Sequence, residues 1–274
     1  MISSTSNSKV KQVVAWQTKA KERKKDGIFI VEGVRMFEEA PLDWISQVYV
    51  SSKCLANLQQ GNKESGDGRE ALVLGRLKET SYEEVTDEVF AKMSDTQTPQ
   101  GILCVLHRPS YTLEDVMGHG EKAPLVMILE DLQDPGNLGT IIRTGEGAGI
   151  SGVIMSKDTV DIFNPKVIRA TMGSIYRMPF IYAEDLLQVL DTLLIEEMQT
   201  YAAHLKGDVY YDTFDFTKPT AFLIGNEGNG LKKETADKAG SYLKIPMEGK
   251  VESLNAAIAA SLLMYEAHRQ RMKH

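Results

Sequence analysis

"DPGNLGTIIRTGEGAG", residues 134–149, carries five glycines, one asparagine and one arginine between two apolar runs, "LVMILE" (125–130) and "GVIMS" (152–156). Apolar runs with β-branched centres and no polar alternation suit parallel strands covered on both faces. A helix beginning after Asn137 puts Leu138, Ile141, Ile142 and Ala148 on or near one face, packed on a sheet, and Gly139, Arg143 and Gly147 on another. Arg143 is therefore expected off the buried stripe. Gly136 and Gly139 allow tight backbone passage and leave free amides beside Asn137. The pattern GNLG is not the GxGxxG of dinucleotide sites, and no Walker Lys-Ser/Thr pair follows, so an ordinary nucleotide-cofactor loop is disfavoured.

Two more junctions of strand, glycine turn and helix lie downstream. In "FLIGNEGNGL" (222–231) an apolar run enters a turn in which Glu227 sits among Asn226, Gly228, Asn229 and Gly230. In open α/β sheets such turns lie at the carboxyl ends of strands, where ligands bind. In "IPMEGKVESLNAAIAASLLMYE" (245–266) a strand meets Pro246 and a loop ends at Glu252. Ser253 is placed to cap a helix whose Leu254, Ile258, Ser261, Leu262 and Tyr265 mark one face, with Asn255 in its first turn. The alanines at 256, 257, 259 and 260 make that helix slim, so that another backbone, such as a second subunit's, can come close. Between these junctions helices are expected near 165–176, over 184–194 and over 230–240, and strands at 200–205, 220–225 and 242–245. The alternation implies a mostly parallel sheet with helices on both faces.

The front of the chain reads as a smaller α/β unit: strands at 27–33, 45–50, 70–75 and 101–106, a short helix at 34–40, and a polar glycine-rich loop at 57–70. The polar stretch 107–124, with two prolines and two glycines, is the expected linker. The boundaries are thus 1–106, 107–124 and 125–274. Charge is unevenly placed: the formal total is -7, yet residues 1–25 hold seven basic side chains against the single Glu22. That segment, with Trp16 inside it, could meet phosphates and one stacked base. Cys54 and Cys104 have no paired spacing, the five histidines have no ligand spacing, and no apolar stretch reaches membrane length, so a metal-free, soluble, cytoplasmic protein is expected.

Taken together, "NLGTIIRTGEGAG", "IGNEGNG" and "IPMEGKVESLNAAIA" resemble the three motifs of the SpoU/TrmH class of RNA ribose 2'-O-methyltransferases, over nearly all of residues 125–270. "FIVEGVRMFEEA" (29–40) and "TQTPQGI" (96–102) resemble the small substrate-binding domain that precedes the catalytic one in many members. The resemblance implies a deep trefoil knot in the C-terminal domain, S-adenosylmethionine (AdoMet) as cofactor, a homodimer and RNA as partner, ribosomal rather than transfer RNA. It implies catalytic roles for Arg143, Asn137, Glu227, Ser253 and Asn255, with Arg143 foremost. Leu223, Ile224, Gly225, Ile245, Pro246, Met247 and Leu254 would hold the cofactor, and Lys19, Lys21, Arg23, Lys24, Lys25, Arg35 and Gln100 the RNA. The chain departs from the usual pattern at Ala256 and Ala257, where Val-Ser is common, and at Gly145 and Gly147. The competing readings are methylation of a base nitrogen and a non-catalytic RNA-binding protein that keeps the fold.

Overall fold

The computed structural model describes residues 1–64, 68–120, 122–251 and 253–272. Residues 65–67, inside the expected loop at 57–70, and Glu252, the end of the expected ligand loop, lie outside them. The chain divides into two compact units, Met1–Pro109 with Phe163–Tyr176, and Ser110–Ile162 with Arg177–His274.

In the first unit α1 (Ser8–Thr18) starts where the Asn7 side chain accepts from Lys9 N, and it buries Val10, Val13 and Gln17 on one face. The chain breaks at Lys19, resumes as α2 (Ala20–Asp26) and ends on Gly27 in the left-handed region, φ +64°. Then follow β1 (Ile28–Glu32), α3 (Val34–Glu39), β2 (Ile45–Ser51), α4 (Ser52–Glu64), α5 (Arg69–Thr80), β3 (Tyr82–Val85), α6 (Asp87–Met93) and β4 (Ile102–His107). The sheet order is β1-β4-β2-β3, with β4 antiparallel to both neighbours and β3 parallel to β2.

Two expectations fail in this unit. Residues 70–75 are helical, because Val73 and Leu77, one turn apart, are the buried pair while Leu72 is 73% exposed. The stretch from residue 57 is not a loop but the second half of α4, whose Leu55 and Leu58 bury one helical face despite the polar composition around them. The strand of this region is β3, which no apolar run announces.

The second unit opens with α7 (Leu113–Met117), capped by the reciprocal Thr112–Asp115 pair, so the expected linker carries a helix. There follow β5 (Leu125–Leu129), α8 (Pro135–Ala148), β6 (Gly152–Ser156), α9 (Pro165–Thr171, within the first unit), β7 (Phe180–Ala183), α10 (Leu186–Ile195), β8 (Gln199–Ala203), β9 (Thr220–Ile224), α11 (Lys233–Lys238), β10 (Ser241–Leu243) and α12 (Ala256–Arg271). The six strands are all parallel, in the order β10-β8-β9-β5-β6-β7. Alternation sorts the side chains by face. Val126, Ile128, Ile154, Ala221 and Leu223 meet α7, α10 and α11 on one side. On the other side α8 and α12 pack on each other, and α12 also touches β9.

Helix starts differ from expectation by a few residues, and the caps explain why. Asp134, not Asn137, caps α8: its carboxylate accepts from Asn137 N, and Pro135 takes a first-turn position where no amide donor is needed. Asn255, not Ser253, caps α12, accepting from Ala257 N and Ile258 N. The buried face of α12 is Ala256, Ala257, Ala260, Leu263, Met264 and Ala267, so the expected stripe is turned outward. Ile258, Leu262 and Tyr265 are 52%, 38% and 49% exposed.

Candidate active site

The carboxyl ends of β5 and β9 bring two of the glycine junctions together, and the start of α12 brings the third. After β9, the loop 225–231 closes on itself: Asn226 N donates to Gly230 O and Gly230 N to Asn226 O. The Asn226 side chain accepts from Gly228 N and Asn229 N. Only glycine fits at 225, since a Cβ there would lie 2.1 Å from the Gly230 carbonyl carbon. The tight loop holds Glu227 toward the start of α8. Its Oε1 accepts from Asp134 N at 2.9 Å and from Asn137 Nδ2 at 3.0 Å, and its Oε2 accepts from Gln133 N at 3.0 Å. Asn137 Oδ1 in turn accepts from Asn255 Nδ2 at 2.9 Å.

Glu227, Asn137 and Asn255 are thus one connected network spanning all three junctions. Burial raises the Glu227 pKa, but the hydrogen bonds from Asn137, Gln133 and Asp134 outweigh it and hold the carboxyl below its ordinary value. The carboxylate, an acceptor only, fixes the Asn137 amide with its Nδ2 toward Glu227 and its oxygen toward Asn255.

Beside this network lies a cleft of about 340 Å³ between the loop 225–231, the ends of β8 and β10 and the approach to α12. Of the residues expected at the cofactor, Ile224, Gly225, Ile245, Met247 and Leu254 line it. Leu223 is wholly buried within β9, its side chain on the face of α7, α10 and α11, and Pro246 is exposed outside the cleft lining. Ala203, His204 and Leu205 at the end of β8 also line it, and no glycine signal marks them in the sequence. The volume falls in the range of small-molecule sites. Its walls combine apolar side chains, from Ile224, Met247, Leu254, Ala256 and Ala259, with the polar backbone of the loop 225–231, a lining that suits a small amphipathic ligand.

Ser253 also lines the cleft but makes no hydrogen bond to the network among the described residues. Arg143 stands apart: it is exposed on α8, as its spacing implies, and has no hydrogen bond or ion pair among the described residues. Six residues beyond Asn137, it lies about 9 Å further along the helix axis.

Family profiles match both parts of the chain. That of the SpoU rRNA methylase family covers residues 124–265, and that of the MRM3-like substrate binding domain covers residues 7–104. The chain belongs to the SpoU rRNA methylase family. It is 32% identical over 271 residues to the 23S rRNA (guanosine(2553)-2'-O)-methyltransferase RlmP of Bacillus subtilis, covering 96% of this chain and 97% of that protein. The AdoMet-bound rRNA methyltransferase from Sinorhizobium meliloti superposes with a TM-score of 0.81 at 30% identity, over 98% of this chain and 97% of the other. The SpoU methyltransferase AviRb from Streptomyces viridochromogenes, in complex with AdoMet, does so with 0.83 at 26%, over 98% and 100%. The protein is accordingly an AdoMet-dependent RNA ribose 2'-O-methyltransferase, and its second unit has the family's trefoil-knotted parallel fold.

On the first unit Lys19, Lys21, Lys24 and Lys25 are exposed as an RNA-facing role requires, but Arg23 is not. It is 3% exposed, and its Nη1 donates to Trp16 O and Gln17 O, tying α2 to the end of α1. Trp16 is half-buried and donates through Nε1 to Asp26, which fixes the orientation of its ring. Arg35 pairs with Glu39 within α3, and Gln100 accepts from Val34 N, so it shapes the turn at Gly33. Among the described residues no three His, Cys, Asp or Glu side chains are grouped to hold a metal, and no helix is long and apolar enough to cross a membrane.

Proposed function

We propose that this enzyme methylates a ribose of large-subunit ribosomal RNA, as a homodimer, with AdoMet in the cleft beside Glu227 and RNA delivered by the first unit. The connected Glu227–Asn137–Asn255 network carries the reading of the site, because it joins all three glycine junctions at one end of the sheet next to the cleft that suits the cofactor. Ile224, Gly225, Ile245, Met247 and Leu254 would hold AdoMet there, which supplies a methyl group activated on a sulfonium. Arg143, with five donors and no acceptor, clamps an RNA phosphate and aligns the attacking 2'-hydroxyl, whose proton passes to solvent water rather than to the guanidinium. Ser253, at the cleft wall, completes the polar surroundings of that hydroxyl.

Ribosomal RNA is favoured because the relative that acts on 23S rRNA matches this chain along both units. The homodimer is favoured by Ile258, Leu262 and Tyr265, an exposed apolar row at i, i+4 and i+7 of α12. Tyr265 Oη lies 3.3 Å from where a Cβ on Gly147 would stand, and Gly147 and Arg143 share a face of α8, so a partner seated on this row would reach the neighbourhood of Arg143. The exposed Lys19, Lys21, Lys24 and Lys25 supply phosphate contacts in the first unit.

The test is transfer of labelled methyl from AdoMet to total ribosomal RNA and, separately, to bulk transfer RNA. The product is mapped by the resistance of a 2'-O-methylated linkage to alkali. Label in 23S rRNA at an alkali-resistant linkage is expected. Label in transfer RNA alone, or in a base, overturns the substrate assignment.

A further inference from the structure

β5 is followed by two consecutive acids, Glu130 and Asp131, that stand outside the network just described. Glu130 is 3% exposed; its Oε2 accepts from Lys232 N at 2.7 Å and its Oε1 from Thr235 Oγ1 at 2.5 Å. Asp131 follows with φ +52°, in the left-handed region that aspartate and asparagine tolerate better than other side chains. Its N–H donates to Ser156 Oγ at 2.8 Å, and that hydroxyl donates back to Oδ1 at 2.7 Å. Oδ2 pairs with Lys232 Nζ at 2.7 Å. The Asp131 carbonyl accepts from Asn226 Nδ2 at 2.8 Å and from Gln133 Nε2 at 3.1 Å. Burial raises the Asp131 pKa, and the bonds from Lys232 and Ser156 overcome that and leave the carboxyl below its ordinary value.

The loop 225–231 is therefore fastened at both ends to one dipeptide. Asn226, at its start, is held by the Asp131 carbonyl; Lys232, just past its end, is held by both carboxylates. A left-handed residue kept in place by this many partners is local strain retained by its surroundings, the pattern by which binding geometry is set in advance. We propose that Asp131 is a positioning residue for the cofactor: by holding Asn226 and Lys232 it fixes the loop 225–231, and Glu227 within it, in the geometry that receives AdoMet. The inference rests on the assignment of the cleft as the AdoMet site.

The test measures AdoMet Kd by calorimetry, KM for AdoMet, kcat at saturating AdoMet, and Tm, on full-length Asp131→Ala, Asp131→Asn, Lys232→Met and Leu254→Trp. If the released loop spends about one-tenth of its time in the competent form, Asp131→Ala raises Kd and KM about tenfold while kcat stays within about twofold. Asp131→Asn, which tolerates the left-handed backbone and still accepts from Ser156 but loses the Lys232 pair, is expected to recover most of the loss and leave Kd about threefold raised, as in Lys232→Met. Lys232→Met, which leaves the backbone untouched, raises Kd about threefold with Tm unchanged. Should Asp131→Ala fail to fold, the Asn and Lys232 variants decide. Wild-type AdoMet affinity in both Asp131→Ala and Lys232→Met overturns the proposal, as does a loss confined to Tm or to kcat. Leu254→Trp fills the cleft: if it binds AdoMet normally, the cleft assignment has failed independently of Asp131.

Discussion

Asn137 and Arg143 lie six residues apart on α8 and stand in opposite conditions. Asn137 is buried, and its amide is engaged on both atoms, Nδ2 toward Glu227 and Oδ1 from Asn255. Arg143 is exposed and has no partner among the described residues. A buried amide bonded on both sides is already in its working geometry, so its contribution is fixed before any ligand arrives. An arginine held out in water bears no such cost in advance and is available to an anion that comes from solvent. On the proposed reading, the two residues that the sequence motif couples divide the work: one shapes the site, the other meets the RNA.

The sharpest way to break this division is Arg143→Ala. Loss of a phosphate clamp that aligns the attacking 2'-hydroxyl is expected to lower kcat about 100- to 1,000-fold. Because Arg143 supports nothing in the fold, Tm and the AdoMet Kd are expected to equal those of the wild type. Arg143→Lys should recover little, since a point charge does not reproduce a planar fork. A drop in AdoMet affinity or Tm on removing Arg143 would place it in the network and dissolve the contrast.

Asn137→Ala is expected to do the reverse, with a smaller effect on turnover and a clear one on stability. It strips one donor from Glu227 and leaves Asn255 Nδ2 short of an acceptor, a loss of about 1–3 kcal/mol. Glu227 adds a pH signature. Its folded pKa lies below the ordinary 4.5, so the network's stabilisation is fully present above that value and is lost as pH falls through the folded pKa. Urea melts of wild type and Glu227→Gln should therefore differ at neutral pH and converge in acid. Equal stability of the two at pH 7 would mean that the carboxylate's charge contributes nothing.

The same contrast between what is bonded and what is left out marks where the sequence could be read. β5 is legible because all five of its residues are buried, and a strand covered on both faces has to be an unbroken apolar run. α5 is not: Val73 and Leu77 bury a face that is only two residues wide, and the short apolar cluster around them mimics a strand. At the site, Asn137, Glu227 and Asn255 are legible as a motif, but the caps are not. Asp134 and Asn255 win those positions through hydrogen bonds to amides three residues ahead or fewer, which shift a helix start without changing its periodicity. In the sequence Glu130 is only the last residue of an apolar strand run, and Asp131 belongs to none of the three junctions. Their meaning depends on a φ of +52° and on Lys232, about a hundred residues away, and no local pattern encodes either.

The smallest effect is expected in the first unit, where the contrast recurs between neighbours. Arg23 is buried and bonded to Trp16 O and Gln17 O, whereas Lys24 and Lys25 are exposed in the same turn of α2. If the basic segment meets RNA, Lys24→Ala with Lys25→Ala weakens binding only a few-fold but reduces the slope of log K against log salt, by about 0.7–0.9 for each phosphate that is no longer neutralised. Arg23→Ala should leave that slope unchanged and lower Tm instead, because it removes the link between α1 and α2. Both variants remove positive charge from adjacent positions of one helix, so only the direction in which each side chain is committed separates them. A slope that falls for Arg23→Ala as well would show that net positive charge, rather than the exposed face of α2, attracts the RNA.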